Sequence, residues 1–365
     1  MRIRSLLIFS LFVTIILMVD PAYGQRNKYK RRKSSSRNTS HYRGGSAGGK
    51  FRPYQYVGGG LNALNYYGDL APVNKAASTD ISFTRPGMGI TYGYRFRPNV
   101  SARANFNYGR LKGDDITSNK DQPENAPRYY RNLSFRNDIK EFNVGVNVYL
   151  LPDYSGPNFR RSFNAYLFVG GGFFFHNPKG KVPEYDYQVN GSNAATKLAN
   201  AGEWVKLRPL GTEGQYLGIN GAPAPYKPFQ LSVPINFGLT MAIPRSPVNI
   251  HLELGYRFVF TDYLDDVSTS YVSLDQFSDP LARIMSDRSS EPVGAFTGEA
   301  RDLSQVSANV FPDGNTYYHS TLIGSGTENS VRGGSKDNDM YFVTQIKVTY
   351  ILNQSRGKRG PAKFR

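Results

Sequence analysis

A chain of 365 residues with 37 Gly, 26 Tyr, 23 Phe and one Trp leans toward β structure, and the absence of Cys excludes disulfides, thiol catalysis and thiolate metal sites. The formal net charge of +17 would suit a nucleic-acid partner if it were spread over a folded body. It is not, because residues 26–52 hold ten Lys or Arg and no acid, residues 356–365 hold five more, and the stretch between them is close to neutral.

Taken in chain order, Arg2 and Arg4 precede an apolar run from Leu6 to Val19 and a small-residue site at Ala22-Tyr23-Gly24. That pattern predicts a secretory signal peptide over residues 1–24, with a mature chain starting at Gln25 and no Cys there to take a lipid. Residues 25–53 read as a disordered basic arm, in which Lys28, Lys30, Arg31, Arg32 and Lys33 form the densest cluster. No later stretch approaches the roughly 20 apolar residues that a spanning helix needs, so residence in a membrane has to be through strands.

Beyond residue 53 the dominant signal is period two. In 229–243 the apolar side chains Phe229, Leu231, Val233, Ile235, Phe237, Leu239, Met241 and Ile243 alternate with small or polar ones, and 248–260 and 340–352 repeat the pattern. Weaker versions occur at 54–63, 86–96, 99–109, 140–150 and 163–175, which makes eight segments. Several run beyond ten residues, the length needed to cross a bilayer at a tilt, whereas strands of soluble sandwiches are usually about five or six residues. The sequence therefore predicts a closed antiparallel transmembrane β-barrel of eight strands over residues 54–352. The links alternate long and short, with long loops at 64–85, 110–139, 176–228 and 261–339 and turn chemistry at Arg97-Pro98 and Pro244-Arg245-Ser246-Pro247. An even strand count returns both termini to one side, expected to be the periplasm of a Gram-negative cell, including the basic tail 353–365.

On the polar side of these segments fall Arg95, Arg103, Glu141, His251, Glu253, Arg257 and Lys347. Buried charges persist only when paired, and an eight-stranded barrel is just wide enough to be filled by side chains. These seven residues read as a structural plug and not as an ion pathway.

At the loop edges stand Tyr67-Gly68-Asp69-Leu70, Arg110-Leu111-Lys112-Gly113-Asp114-Asp115, Arg131-Asn132-Leu133-Ser134-Phe135-Arg136-Asn137, Pro209-Leu210-Gly211-Thr212-Glu213-Gly214-Gln215 and Phe260-Thr261-Asp262-Tyr263-Leu264-Asp265-Asp266-Val267-Ser268. As an ordered set they resemble the PorG-like family of Bacteroidetes outer-membrane barrels, over roughly residues 54–272 and the last strand. The resemblance implies a component of the type IX secretion system, in which the barrel connects the outer membrane to the periplasmic PorK and PorN ring. This chain departs from the family pattern in its long basic arm and in the Ser- and Gly-rich segment 273–338, which looks inserted.

The acidic motif residues Asp114, Asp115, Asp262, Asp265 and Asp266 could present oxygen ligands to Ca²⁺, although their spacing matches no EF-type loop. The plainer expectation is that Asp262 to Asp266 bond Arg110, Arg131, Arg136 or backbone amides and so pin the long loops, with Lys206, Arg208 and Glu213 as further scaffolding. Of the four histidines, His41 lies in the arm and His319 in a stretch that reads as low complexity. His176 follows the fifth strand segment, and His251 shares a strand face with Glu253. No nucleophile elbow, phosphate loop or zinc motif occurs, so the expectation is a barrel without enzymatic activity or cofactor. Expected partners are outer-membrane lipid and, through the arm, periplasmic ring proteins; nucleic acid is not expected of an exported chain. A structural or adhesin-like barrel whose external loops bind a ligand is the alternative.

Overall fold

The computed structural model describes residues 51–71, 85–119, 126–154, 160–191, 197–244, 246–336 and 338–352. The signal peptide, nearly all of the basic arm and the tail from 353 lie outside the described residues. Eight long strands make the body: β1 (Tyr54–Tyr67), β2 (Arg85–Arg97), β3 (Val100–Asp114), β4 (Ser134–Tyr149), β5 (Phe163–Phe175), β8 (Phe229–Ala242), β9 (Val248–Val259) and β12 (Met340–Ile351). Shorter strands lie in the long links: β6 (Lys179–Lys181), β7 (Trp204–Lys206), β10 (Val306–Val310) and β11 (Thr316–Ser320). Among the described residues no helix is long and apolar enough to cross a membrane.

Each long strand pairs antiparallel with the neighbours before and after it, and β1 pairs with β12 from Tyr56↔Ile351 to Tyr67↔Met340, which closes the sheet. The result is an eight-stranded up-and-down barrel, as the alternation predicted, and closure leaves no free sheet edge. Alternation decides which way each side chain points. Leu61 (72% exposed), Ile90, Leu231, Phe237 and Ile346 (57% exposed) stand on the outer face, while their sequence neighbours turn into the lumen. An apolar belt of this kind would be insoluble in water and is at home against lipid tails.

Backbone chemistry is legible inside the barrel wall. Pro234 has no N–H to donate, and the β5–β8 ladder runs from Phe163↔Met241 to Val169↔Ile235, then resumes at Gly172↔Ser232. Where bulky lumen rings lie flat on the wall, the strand beneath is glycine. A Cβ on Gly93 would stand 2.1 Å from Tyr56 Cζ, and one on Gly238 would stand 2.3 Å from Tyr166 Cζ.

Two sequence expectations need correction. The loop predicted at 110–139 is partly strand, because β3 and β4 stay paired as far as Asp114↔Ser134. The apolar/polar alternation fades there because Leu111, Lys112, Gly113 and Asp114 are all buried, so both faces of the ribbon are covered. Likewise 64–67 belongs to β1. The segment 273–338 also carries much more structure than its composition suggests. It holds a helix at Pro280–Ser286 with Asp279 as N-cap, and the β10–β11 hairpin. His319, placed by sequence in a low-complexity loop, sits on β11 with its Nε2 3.0 Å from Asn309 Nδ2.

Candidate functional site

The interior is layered along the barrel axis. At the short-link end Tyr54, Tyr56 and Ile351 form a small apolar cluster. At the long-link end Leu64, Tyr66, Leu111, Leu133, Phe135, Ile139, Phe174, Leu264, Val267, Tyr341 and Val343 form the main hydrophobic core. Between them lies the charged layer; all seven residues read as lumenal from the sequence are buried in the interior, six of them in this layer.

Glu253 is the hub of that layer. Its carboxylate accepts hydrogen bonds from Arg103, Lys347 Nζ (2.5 Å), Tyr166 OH and Asn236 Nδ2 (3.0 Å). Glu141 takes Arg257 Nε at 2.9 Å and Asn107 Nδ2 at 3.1 Å, while Arg257 also donates to Asn236 Oδ1 at 2.6 Å and so ties the two hubs together. His251 is bracketed by Tyr166 OH at 3.2 Å and Thr349 Oγ1 at 2.9 Å, which occupies both ring nitrogens. Arg95 stands apart near the short-link mouth, where it donates to Tyr54 OH (3.1 Å) and the Pro98 carbonyl. A lumen filled in this way links six strands, β3, β4, β5, β8, β9 and β12, through side chains in addition to the backbone ladders, and charges paired at hydrogen-bond distance offset the desolvation penalty of lone buried ions.

The motif residues at the loop edges converge in a second buried network over the long-link end. Asp115 forms a two-pronged pair with Arg131 (2.8 and 2.7 Å) and accepts from Leu133 N at 2.9 Å. Arg131 continues to the carbonyls of Asp69 and Arg332. Asp114 accepts from Thr117 Oγ1 at 2.6 Å and caps the short helix Asp115–Asn119. Glu213 follows Gly211, which has φ +62°, and accepts from Ser268 N (2.8 Å), Thr269 N (3.1 Å), Thr269 Oγ1 (2.8 Å) and Arg332 Nη1 (3.0 Å). Asp266, itself at φ +73°, accepts from Thr212 Oγ1 (2.5 Å) and Tyr226 OH (2.6 Å). Tyr66 OH donates to both Asp265 (2.7 Å) and Asp339 (2.9 Å). Tyr67 ends β1 beside this group and Gly68 follows it, where an added Cβ would meet Asp339 Oδ1 and Tyr66 OH at about 2 Å.

Of the partners expected for Asp262 to Asp266, arginines or backbone amides, the bonds to Arg110, Arg131 and Arg136 do not form among the described residues. Arg110 pairs with Asp138 at 2.5 Å, Arg131 with Asp115, and the Arg136 guanidinium lies 4.2 Å over the Trp204 ring. Asp265 instead accepts from Val267 N (3.0 Å) and Tyr66 OH, and Asp266 from the Thr212 and Tyr226 hydroxyls, while Arg110 and Arg136 ride on the extended ends of β3 and β4 and Arg131 is taken up by Asp115 inside the cap. Among the described residues no group of three or more His, Asp or Glu is disposed to hold a metal ion. Burial raises these carboxyls: Asp262 to about 8, with Asp339 adding repulsion; Asp339 to about 8, with Asp69 adding to it; and Asp266 to about 6. Burial also lowers His176 to about 4, where it stacks on Tyr226.

Sequence reasoning missed Arg332 and Asp339. Arg332 donates to Glu213, to the Asp266 carbonyl (2.6 Å) and to the Ser286 carbonyl (3.2 Å), and so clamps three long-loop segments from within the supposed insert. The one local signal is Gly333-Gly334, whose backbone lies against Asp69; a Cβ on Gly333 would stand 2.5 Å from Asp69 Oδ2. The arm cluster Lys28, Lys30, Arg31, Arg32 and Lys33 lies outside the described residues.

Closed wall, apolar belt and filled lumen together define a plugged outer-membrane β-barrel with a structured loop cap. Residues 54–198 match the model of a family described as a domain of unknown function (DUF6089). No curated protein matches the chain. Solved structures similar to it include OprG of Pseudomonas aeruginosa, at 8% identity over 84% of this chain and 99% of that one with a TM-score of 0.35. Others are neisserial surface protein A (10% identity, 81% and 96% covered, TM-score 0.28) and the attachment invasion locus protein Ail of Yersinia pestis (8%, 82% and 97%, TM-score 0.28). The assignment of the fold rests on the strand pairing itself.

Proposed function

We propose that this barrel is a non-enzymatic anchor that connects a periplasmic ring of a type IX secretion system to the outer membrane. The observation that carries the reading is the convergence of the motif residues behind the PorG-like resemblance. Asp69, Asp115, Arg131, Glu213, Asp265 and Asp266 come from loops far apart in sequence and meet in one buried cap. A cap of that kind, above a lumen packed with paired charges, suits a rigid fixture and not a pore. The short-link end, where β1 starts and β12 ends, then faces the periplasm, and the basic segments 26–50 and 353–365 attach there. A dense run of cationic side chains holds an acidic surface without fine stereochemistry, in a salt-dependent way.

The test is a mild-detergent pull-down of the mature protein from outer membranes, with recovered proteins identified by mass spectrometry. Recovery of a periplasmic ring lipoprotein with its partner is expected, and its loss on deleting residues 26–50 would place the contact in the arm. A heat-modifiable barrel recovered alone would overturn the secretion role. An adhesin-like role is the second reading, supported by Val310 and Ile323, more than 70% exposed in the long-link region. A ligand bound by the loops in the absence of periplasmic partners would favour it.

A further inference from the structure

Among the described residues the short-link mouth is not sealed. A cavity opens there between strand ends and turns, lined among others by Tyr54, Arg95, Tyr149, Asp153, Arg160 and Arg161, with His251 and Thr349 at its deeper end. Three guanidinium groups face one carboxylate. Arg95 is 5% exposed, its two hydrogen bonds go to neutral oxygens, and its buried Nε has no hydrogen-bond partner among the described residues. Arg160 is fixed by donation to the Ser246 carbonyl at 2.5 Å, and Arg161 stands exposed at the rim. A buried guanidinium that shares one carboxylate, Asp153, with two further arginines, beside tyrosine hydroxyls at an aqueous opening, is chemistry that recognises a second carboxylate.

We infer that this vestibule is a docking site for an acidic polypeptide segment of a periplasmic partner, one carboxylate of which enters toward Arg95 while the rim arginines hold the flanking acids. The inference rests on the proposed orientation and partner class. The chain's own tails are a poor occupant, because residues 26–50 and 356–365 contain no Asp or Glu and are strongly basic, which the guanidinium groups repel. Phospholipid headgroups are also a poor fit. The lining side chains of β1, β2 and β4 are buried lumen-facing ones, so the cavity opens along the barrel axis into the aqueous space and not onto the outer belt that meets lipid.

The test uses the mature chain in detergent micelles and a fluorescein-labelled Asp- and Glu-rich peptide, read by anisotropy at about 0.15 M salt, where surface attraction is screened beyond about 8 Å. The double variant R160E/R161E changes only rim residues, and its folding is checked by heat-modifiable gel mobility. It should weaken the peptide about tenfold or more in chains with and without residues 26–50, and the conservative variant Arg95→Lys should weaken it less. Unchanged affinity in the double variant, or binding that vanishes with the arm alone, overturns the vestibule site. So does displacement of the peptide by phosphatidylglycerol vesicles at equal charge, which would assign the arginines to lipid. Ring recovery that persists in the double variant would sink the vestibule and leave the anchor reading intact. Peptide binding by the vestibule in a protein that recovers no ring would do the reverse.

Discussion

Removing Arg332 tests whether the cap is a single clamped unit. Its guanidinium and the Glu213 carboxylate are both almost fully buried at 3.0 Å, and Arg332→Met keeps the side-chain volume while leaving Glu213 as a buried charge. Removing one partner of a buried pair costs about 3–5 kcal/mol. Glu213 keeps four other donors, namely Ser268 N, Thr269 N, Thr269 Oγ1 and Tyr263 OH, so the low end applies. About 3 kcal/mol corresponds to roughly a hundredfold rise in the open population of the cap. Because the barrel wall does not depend on this pair, the change should be local: amide exchange at Ser268 and Thr269 should speed up by about that factor while amides of β8 and β9 stay protected. Glu213→Gln in the same background should recover part of the loss, since it removes the unmatched charge. Exchange accelerated less than about fivefold, or equally in cap and wall, would refute the idea that Arg332 clamps the cap.

The cap should also respond to pH. Asp262 and Asp339 titrate near 8 when folded and at ordinary carboxylate values when unfolded, so the folded cap binds more protons across that window. Stability is then full below about pH 4 and lost as pH rises from about 4 to about 8; limited proteolysis of the cap should accelerate along that range, and Asp339→Asn should flatten the profile. In the lumen, Glu253→Ala strands Arg103 and Lys347 together and should lower barrel stability by about 3–5 kcal/mol, seen as a lower denaturant midpoint by heat-modifiable mobility, whereas a volume-matched apolar replacement of all three should lose much less. On the outer face, Phe237→Arg near the middle of β8 should cost about 2–4 kcal/mol when the barrel is refolded into bilayers and little in detergent micelles; equal losses in both would argue that this face does not meet lipid.

Strand number, strand order and the direction of each side chain in the wall were legible from the sequence, because lipid on one side and a packed lumen on the other impose period two on every crossing residue. Seven lumen residues could be named from that pattern alone, although which partner each would take could not. Alternation assigns a face and says nothing of the neighbour across the lumen: Arg103 and Glu253 are 150 residues apart. The cap was less legible still. Its contacts are single polar links between distant positions, such as Tyr66 with Asp339 across 273 residues and Arg332 with Glu213 across 119, and such links leave no periodic trace. Where β3 and β4 rise out of the lipid zone both faces become covered, so the pattern that revealed the strands fades while the strands continue. The sequence thus determined a barrel and its inside, because a two-sided environment writes itself into local order. The cap and the vestibule were decided by tertiary structure, because only the closed wall brings those loops and turns together.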